Sequence, residues 1–145
     1  MTTYHELPEN EKELLLKFPA YVSLLAANYH NNGMDAEEKK SAIDFSHIKT
    51  FSVNPILKEF FEDVDKQFEH TINKLNDELP RNKKDREVII RNELDKIEKI
   101  LYKTDAEYSN ALHESMKAYK EHVAHAHHSL MEYLIFPIPI KGLTY

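Results

Sequence analysis

The stretch Asn54–Pro80, NPILKEFFEDVDKQFEHTINKLNDELP, carries the strongest helical pattern of the chain. Asn54 is a typical N-cap residue, and Pro55 suits the first position of a helix. Pro80 ends the pattern, because proline cannot continue a helix interior. The apolar residues between these two signals recur every three or four positions, as expected for one buried helix face: Leu57, Phe60, Phe61, Val64, Phe68, Ile72, Leu75 and Leu79. The stretch therefore predicts a long amphipathic helix over 55–79.

Two segments on the N-terminal side show the same spacing. The first has apolar residues at positions 15, 18, 22, 25 and 29. Pro19 lies inside it and leaves two alternatives, a kink in one long helix or the first turn of a second helix that begins near Phe18. The second segment begins with the capping box Asp35–Glu38 and runs to about Lys49, followed by a loop over 50–54.

Two more helical segments follow Pro80. One runs from Asp85 to Leu101 and the other from Asp105 to about Ile135. Thr104 and Glu107 have the spacing of a capping box, although the pattern also allows a helix that continues through them. The sequence FPIPI at 136–140 cannot be helical and predicts an extended tail.

Composition narrows the fold and the chemistry. The chain of 145 residues has two glycines, Gly33 and Gly142, and no cysteine. Phosphate-binding loops, dinucleotide-binding motifs and nucleophile elbows need more glycine, as do the tight turns of β-sandwiches and barrels. We therefore expect an all-α fold, a single-domain helical bundle of about five helices over 1–145 with an extended proline-containing C-terminal tail.

Charge and hydropathy restrict the partners. The formal net charge of −6 argues against nucleic acid. No stretch approaches the roughly 20 apolar residues of a membrane-spanning helix, and the N-terminus lacks a basic secretory region, so we expect a cytoplasmic protein. The one basic cluster (Arg81, Lys83, Lys84 and Arg86) is interrupted by acidic residues and indicates a solvated loop.

A strip of histidine and glutamate lies on the last predicted helix. Glu121, His125, His128 and Glu132 are spaced i, i+4, i+7 and i+11, so at about 100° per residue they share one face, opposite the apolar stripe. Imidazole and carboxylate at this spacing can ligate an ion such as Zn²⁺ or Ca²⁺. The alternatives are a solvated outer face and a pH-responsive contact.

Two sharper metal motifs are absent. The zincin motif HExxH fails because His113-Glu114 is followed at the second ligand position by Lys117. The di-iron motif ExxH does not occur at any glutamate of the chain. The sequence therefore offers no established metalloenzyme signature.

The first turn resembles the tellurite-resistance TerB-like family of all-helical domains. In that family an alanine-rich helix leads into D-G-x-[IV]-[DS]-x-x-E, and here LLAA at 24–27 precedes NGMDAEE at 32–38, with one residue fewer after Gly33. Asn32 stands at the family's aspartate position, so Asp35 and Glu38 are the matched carboxylates. The resemblance implies a helical bundle, a divalent ion near these two residues, and stress-response or metal-related associations without known catalysis.

Two functions from different classes follow. The first is a non-enzymatic helical binding or scaffold domain that meets a divalent ion, a protein partner or a second copy in a homodimer. The second is a metal-dependent hydrolase with a carboxylate–histidine site. A catalytic site should bury titratable groups in a cleft, so the surroundings of its carboxylates and histidines distinguish the two.

Overall fold

Six α-helices make up the part of the chain that the structure describes. The computed structural model describes residues 4–27, 34–52 and 54–124. The helices are α1 Glu9–Leu16, α2 Phe18–Ala26, α3 Ala36–Ser52, α4 Lys58–Glu78, α5 Lys83–Leu101 and α6 Ala106–Ala124, with short 3-10 turns at Tyr4–Glu6 and Pro55–Leu57. These residues include no β-strand. The predicted all-α fold is confirmed, and the predicted tail lies outside the described residues.

Helix α2 lies at the centre of the bundle. All nine of its residues, FPAYVSLLA, are buried. It packs against α1, α4, α5 and α6. Helix α3 in turn packs against α4 and α6. A helix that is apolar around its whole circumference needs neighbours on all sides, and four helices supply them here. The buried side chains form one continuous hydrophobic cluster.

The apolar stripe of 57–79 faces this core as predicted. Leu57 and Ile72 are fully buried, and Leu75 packs against the cluster from its edge. The ring of Tyr119 on α6 stacks with that of Phe61, with centroids 6.1 Å apart, and lies tilted to that of Phe68, with centroids 6.0 Å apart. Aromatic contacts at these distances join α4 to α6.

Helix boundaries resolve the open alternatives and correct two predictions. A second helix begins at Phe18, with Pro19 in its first turn, so α1 and α2 are separate helices. The predicted loop over 50–54 is wrong in its first three residues, because α3 continues to Ser52. Helix α3 contains no glycine or proline, and the next turn begins at Asn54, whose side chain accepts a hydrogen bond from Ile56 N at 3.1 Å.

The predicted capping box of Thr104 and Glu107 is also wrong. The Thr104 hydroxyl instead donates to the Leu101 carbonyl at 2.7 Å, across the end of α5. Asp105 caps α6, since its carboxylate accepts from the backbone N–H of Glu107 at 3.2 Å. Asp105 competes successfully because aspartate is a stronger N-cap residue than threonine.

Arg86 corrects the prediction of a solvated basic loop. Lys83 and Lys84 belong to the first turn of α5, where they are exposed, whereas Arg86 is fully buried. Its guanidinium donates to Asn76 Oδ1 and to the Pro80 carbonyl. The buried side chain therefore stabilises the turn between α4 and α5.

None of the helices in the described ranges is both long enough and apolar enough to cross a membrane.

Candidate ligand cleft between α5 and α6

Glu98 and His113 form a buried carboxylate–histidine pair between α5 and α6. His113 Nε2 lies 3.0 Å from each of the two carboxylate oxygens of Glu98. Because an ionised carboxylate only accepts hydrogen bonds, the Nε2 nitrogen carries the proton and donates. The side chain of Glu98 is 4% exposed and that of His113 is 17% exposed. A carboxylate this deeply buried requires a partner, and His113 supplies it.

The local sequence explains this placement. Glu98 lies in the last turn of α5 beside the core residues Ile97 and Leu101, so burial of their side chains also draws Glu98 inward. The chain leaves α5 over Tyr102–Asp105, and α6 begins at Ala106. His113 follows the core residue Leu112, at the edge of the buried face of α6. The short turn brings the two helix edges together.

The pair lies in the wall of a cleft of about 350 Å³. This volume falls in the range of small-molecule sites in proteins. The other lining residues combine apolar and polar side chains: Leu101, Tyr102, Thr104, Ala106, Ser109 and Asn110. Tyr102 stands at the mouth and is 68% exposed. The cleft therefore offers a buried acidic wall, uncharged polar groups and an exposed aromatic ring.

Other histidine–carboxylate contacts in the described region are exposed by comparison. His47 Nδ1 lies 2.7 Å from Asp65 Oδ1, but the His47 side chain is 57% exposed. His5 contacts Glu59, and both of these side chains are about half exposed or more. Solvated pairs of this kind contribute little. Burial and a surrounding cleft distinguish Glu98 and His113.

Asp35 and Glu38 form the predicted reciprocal capping box. Glu38 N donates to Asp35 Oδ1 at 2.9 Å, and Asp35 N donates to Glu38 Oε1 at 3.0 Å. Glu38 is fully buried at the start of α3. Both carboxylates thus stabilise the first turn of the helix. An ion at this turn remains a prediction.

The histidine strip is only partly within the described residues. Glu121 is exposed on α6, as expected for the face opposite the core. His125, His128 and Glu132 lie outside the described residues, so their assembly into a metal site remains a prediction. Within 4–27, 34–52 and 54–124, no three histidine or carboxylate side chains are grouped so that they could hold a metal ion.

Sequence reasoning missed the pair of Glu98 and His113. Fifteen positions separate them, so no helical spacing links them. Their contact depends on the angle between α5 and α6, which the turn of four residues determines. One usable signal was present, since Glu98 adjoins Ile97 and His113 adjoins Leu112 at the borders of two apolar stripes.

Comparison with protein-family models, curated proteins and solved structures found no match. The resemblance to the TerB-like family therefore remains a prediction.

Proposed function

We propose that the chain is a non-enzymatic helical binding domain whose ligand occupies the cleft between α5 and α6. The observation that carries this proposal is the buried pair of Glu98 and His113 in the wall of a 350 Å³ cleft. Buried polar groups beside a concave surface can fix the orientation of a ligand. The remaining large buried polar side chains, such as Glu38 and Arg86, are used to hold the fold together.

The geometry favours binding over catalysis. The Nε2 proton of His113 already points between the two oxygens of Glu98, so this nitrogen is not placed to accept a proton from a nucleophile. Ser109 lines the same cleft, but within the described ranges its hydroxyl makes no hydrogen bond to His113. A serine without a base in contact is a weak nucleophile.

A fragment titration followed by two-dimensional amide NMR tests the proposal. We expect a subset of small polar fragments to shift the amides of Ser109, Asn110 and His113 in a saturable way. The matched variant Ala106→Leu narrows the cleft at an exposed helix position and should abolish these shifts while the remaining spectrum is unchanged. Fragments that leave these amides unmoved would overturn the proposal.

We further propose divalent ions as ligands at sites outside the cleft, either the histidine strip or the turn before α3. Thermal unfolding of the metal-stripped protein with Zn²⁺, Ca²⁺ or Mn²⁺ tests them directly. An ion that binds only the folded state, at about 100 times its Kd, adds about 2.7 kcal/mol of stability. A rise in Tm lost in the double variant His125→Ala/His128→Ala would support the histidine strip. A rise lost only in Asp35→Asn would support the TerB-like turn and its stress-related associations.

A metal-dependent hydrolase is the alternative, and the same pair would supply its carboxylate–histidine site. Glu98 and His113 are chemically suited to ligate Zn²⁺, although the described residues add no third histidine or carboxylate ligand. Ester hydrolysis with added Zn²⁺ distinguishes this function. If the wild type turned over the ester and His113→Ala did not, the hydrolase function would be supported. If both proteins showed only the background rate, this function would be refuted.

A further inference from the structure

We propose that the cleft between α5 and α6 binds an organic ammonium ion, a primary amine on a short aliphatic chain. This inference rests on the proposed function, since it names the ligand class of the same cleft. It is carried by the position of one carboxylate, the chemistry of the side chains around it and the ring at the cleft mouth.

The charge of the cleft wall selects cations. Among the described residues that line the cleft, Glu98 is the only carboxylate and no lysine or arginine occurs. The two oxygens together have about four lone-pair directions, and the single N–H of His113 lies 3.0 Å from both oxygens. The carboxylate therefore has capacity for a second donor. An anionic ligand would instead place like charge beside a poorly solvated carboxylate.

The uncharged polar groups match an ammonium group in particular. An ammonium ion has three donors and no acceptor. Besides Glu98, the cleft offers the hydroxyl of Ser109 and the amide carbonyl of Asn110 as acceptors. The three N–H groups of an ammonium ion can thus donate hydrogen bonds to acceptors at the end of α5 and in the first turns of α6.

The remaining lining residues suit an aliphatic stem. Leu101 and Ala106 supply apolar surface. Tyr102 presents an exposed ring at the mouth, where a cation can approach its face. This combination of a carboxylate, an aromatic ring and apolar contacts is typical of sites that hold an amine.

A second groove of the same chain provides an internal control. Lys96, Lys99 and Lys103 line a groove of about 260 Å³ between α1 and α5, together with Glu11. Lys103 Nζ lies 2.5 Å from Glu11 Oε2, which leaves the groove with an excess of positive charge. A cation should avoid this groove, and an anion should prefer it to the cleft.

The experiment is an amide NMR titration at pH 7 with three ligands of matched size: butylammonium, butanol and butyrate. We expect butylammonium to shift the amides of Ser109 and Asn110 with saturation, butanol to bind at least fivefold more weakly, and butyrate to leave these amides unmoved. Glu98→Gln preserves the shape and removes the charge, and it should weaken butylammonium binding at least tenfold. Tyr102→Ala should weaken it about threefold.

Two further variants control for a general effect of charge and for loss of folding. Glu69→Gln removes the same charge from an exposed site on α4 and should leave binding unchanged. Glu98→Asp retains the charge and should keep most of the affinity, so it separates loss of charge from loss of folding in Glu98→Gln.

Each remaining outcome overturns the inference in a recognisable way. Equal binding of the three ligands, or butyrate binding in the cleft, would refute the ammonium specificity and leave the proposed function standing. Shifts in the cleft with Zn²⁺ alone, but none with butylammonium, would make it a metal site. If none of the three ligands, Zn²⁺ or the fragments shifted the cleft amides, both the inference and the proposed function would be refuted.

Discussion

Arg86 Nη2 donates a hydrogen bond to Asn76 Oδ1 at 2.5 Å in the interior of the protein. The amide of Asn76 also binds the backbone of Met34 in both directions, at 3.1 and 3.2 Å. Nη1 of the same guanidinium donates to the Pro80 carbonyl. One buried contact therefore joins α4, the turn before α5 and the residues that precede α3. Within the described ranges this arginine has no carboxylate partner.

Removal of the Asn76 amide should be strongly destabilising. Asn76→Ala leaves the guanidinium of Arg86 and the backbone of Met34 without their partner, so we expect a loss of about 2–4 kcal/mol in the free energy of unfolding, measured by urea titration. The double variant Asn76→Ala/Arg86→Met should lose less than the sum of the two single variants. Arg91→Met is the control: Arg91 has only a 3.4 Å contact with Glu87, and its loss should cost less than about 0.5 kcal/mol.

His113→Ala should destabilise the protein more than Glu98→Gln does. The alanine variant leaves a buried carboxylate without its donor, at a cost of about 2–3 kcal/mol, whereas glutamine stays neutral and keeps an oxygen that can accept from His113. Urea unfolding of both variants measures this order. If His113→Ala left the free energy of unfolding unchanged, the carboxylate of Glu98 would have found another donor or a water molecule. The buried pair would then have no structural role.

Asp35→Ala should cost about 1 kcal/mol, because the variant loses an N-cap side chain. Asp35→Asn should keep most of this stability, since asparagine is an equally good cap. Thermal unfolding of both variants, with exposed Glu37→Ala as the control, measures the capping contribution. The comparison also separates capping from ion binding, since only the latter needs the charge. If Asp35→Asn were as unstable as Asp35→Ala, capping would not explain this residue.

Stability should fall steeply above pH 10. Burial raises the pKa of Tyr21 to about 12, and burial also raises the pKa values of Tyr4, Tyr108 and Tyr119 above the ordinary value of a tyrosine. Above pH 10 the unfolded chain releases these protons while the folded chain retains them, so unfolding becomes more favourable by about 1.4 kcal/mol per pH unit for each such group. Below pH 10 these tyrosines do not affect the pH dependence.

Tyrosinate absorbance and far-UV circular dichroism measure this transition together. We expect the buried tyrosines to ionise in the same step in which helicity is lost. Full tyrosine ionisation in a protein that remains helical would contradict the prediction.

Most of the fold could be predicted because it depends on local patterns. The stripe from Leu57 to Leu79 and the break at Pro80 required only spacing and backbone chemistry, and both agree with the structure. The position of Pro19 also indicated a helix start, but only the structure distinguishes this start from a kink. The end of α3 was misplaced because Thr50 to Ser52 contain no residue that stops a helix.

The candidate site could not be predicted to the same degree, because it depends on the packing of helix edges. Glu98 and His113 each lie beside an apolar stripe, a position where a charged residue can face either water or the core. Arg86 was assigned to solvent for the same reason, since its neighbours Lys84 and Asp85 are exposed and only the backbone geometry of the turn directs its side chain inward.

The complete burial of α2 has a consequence for biosynthesis. The ribosome makes α2 before α6, which covers one of its sides and emerges about 80 residues later. Until then the side of α2 that α6 covers exposes hydrophobic surface, the kind of surface that drives aggregation. Folding of this bundle is therefore expected to finish only after α6 has emerged, and a ribosome-bound chain that stops before α6 should remain protease-sensitive.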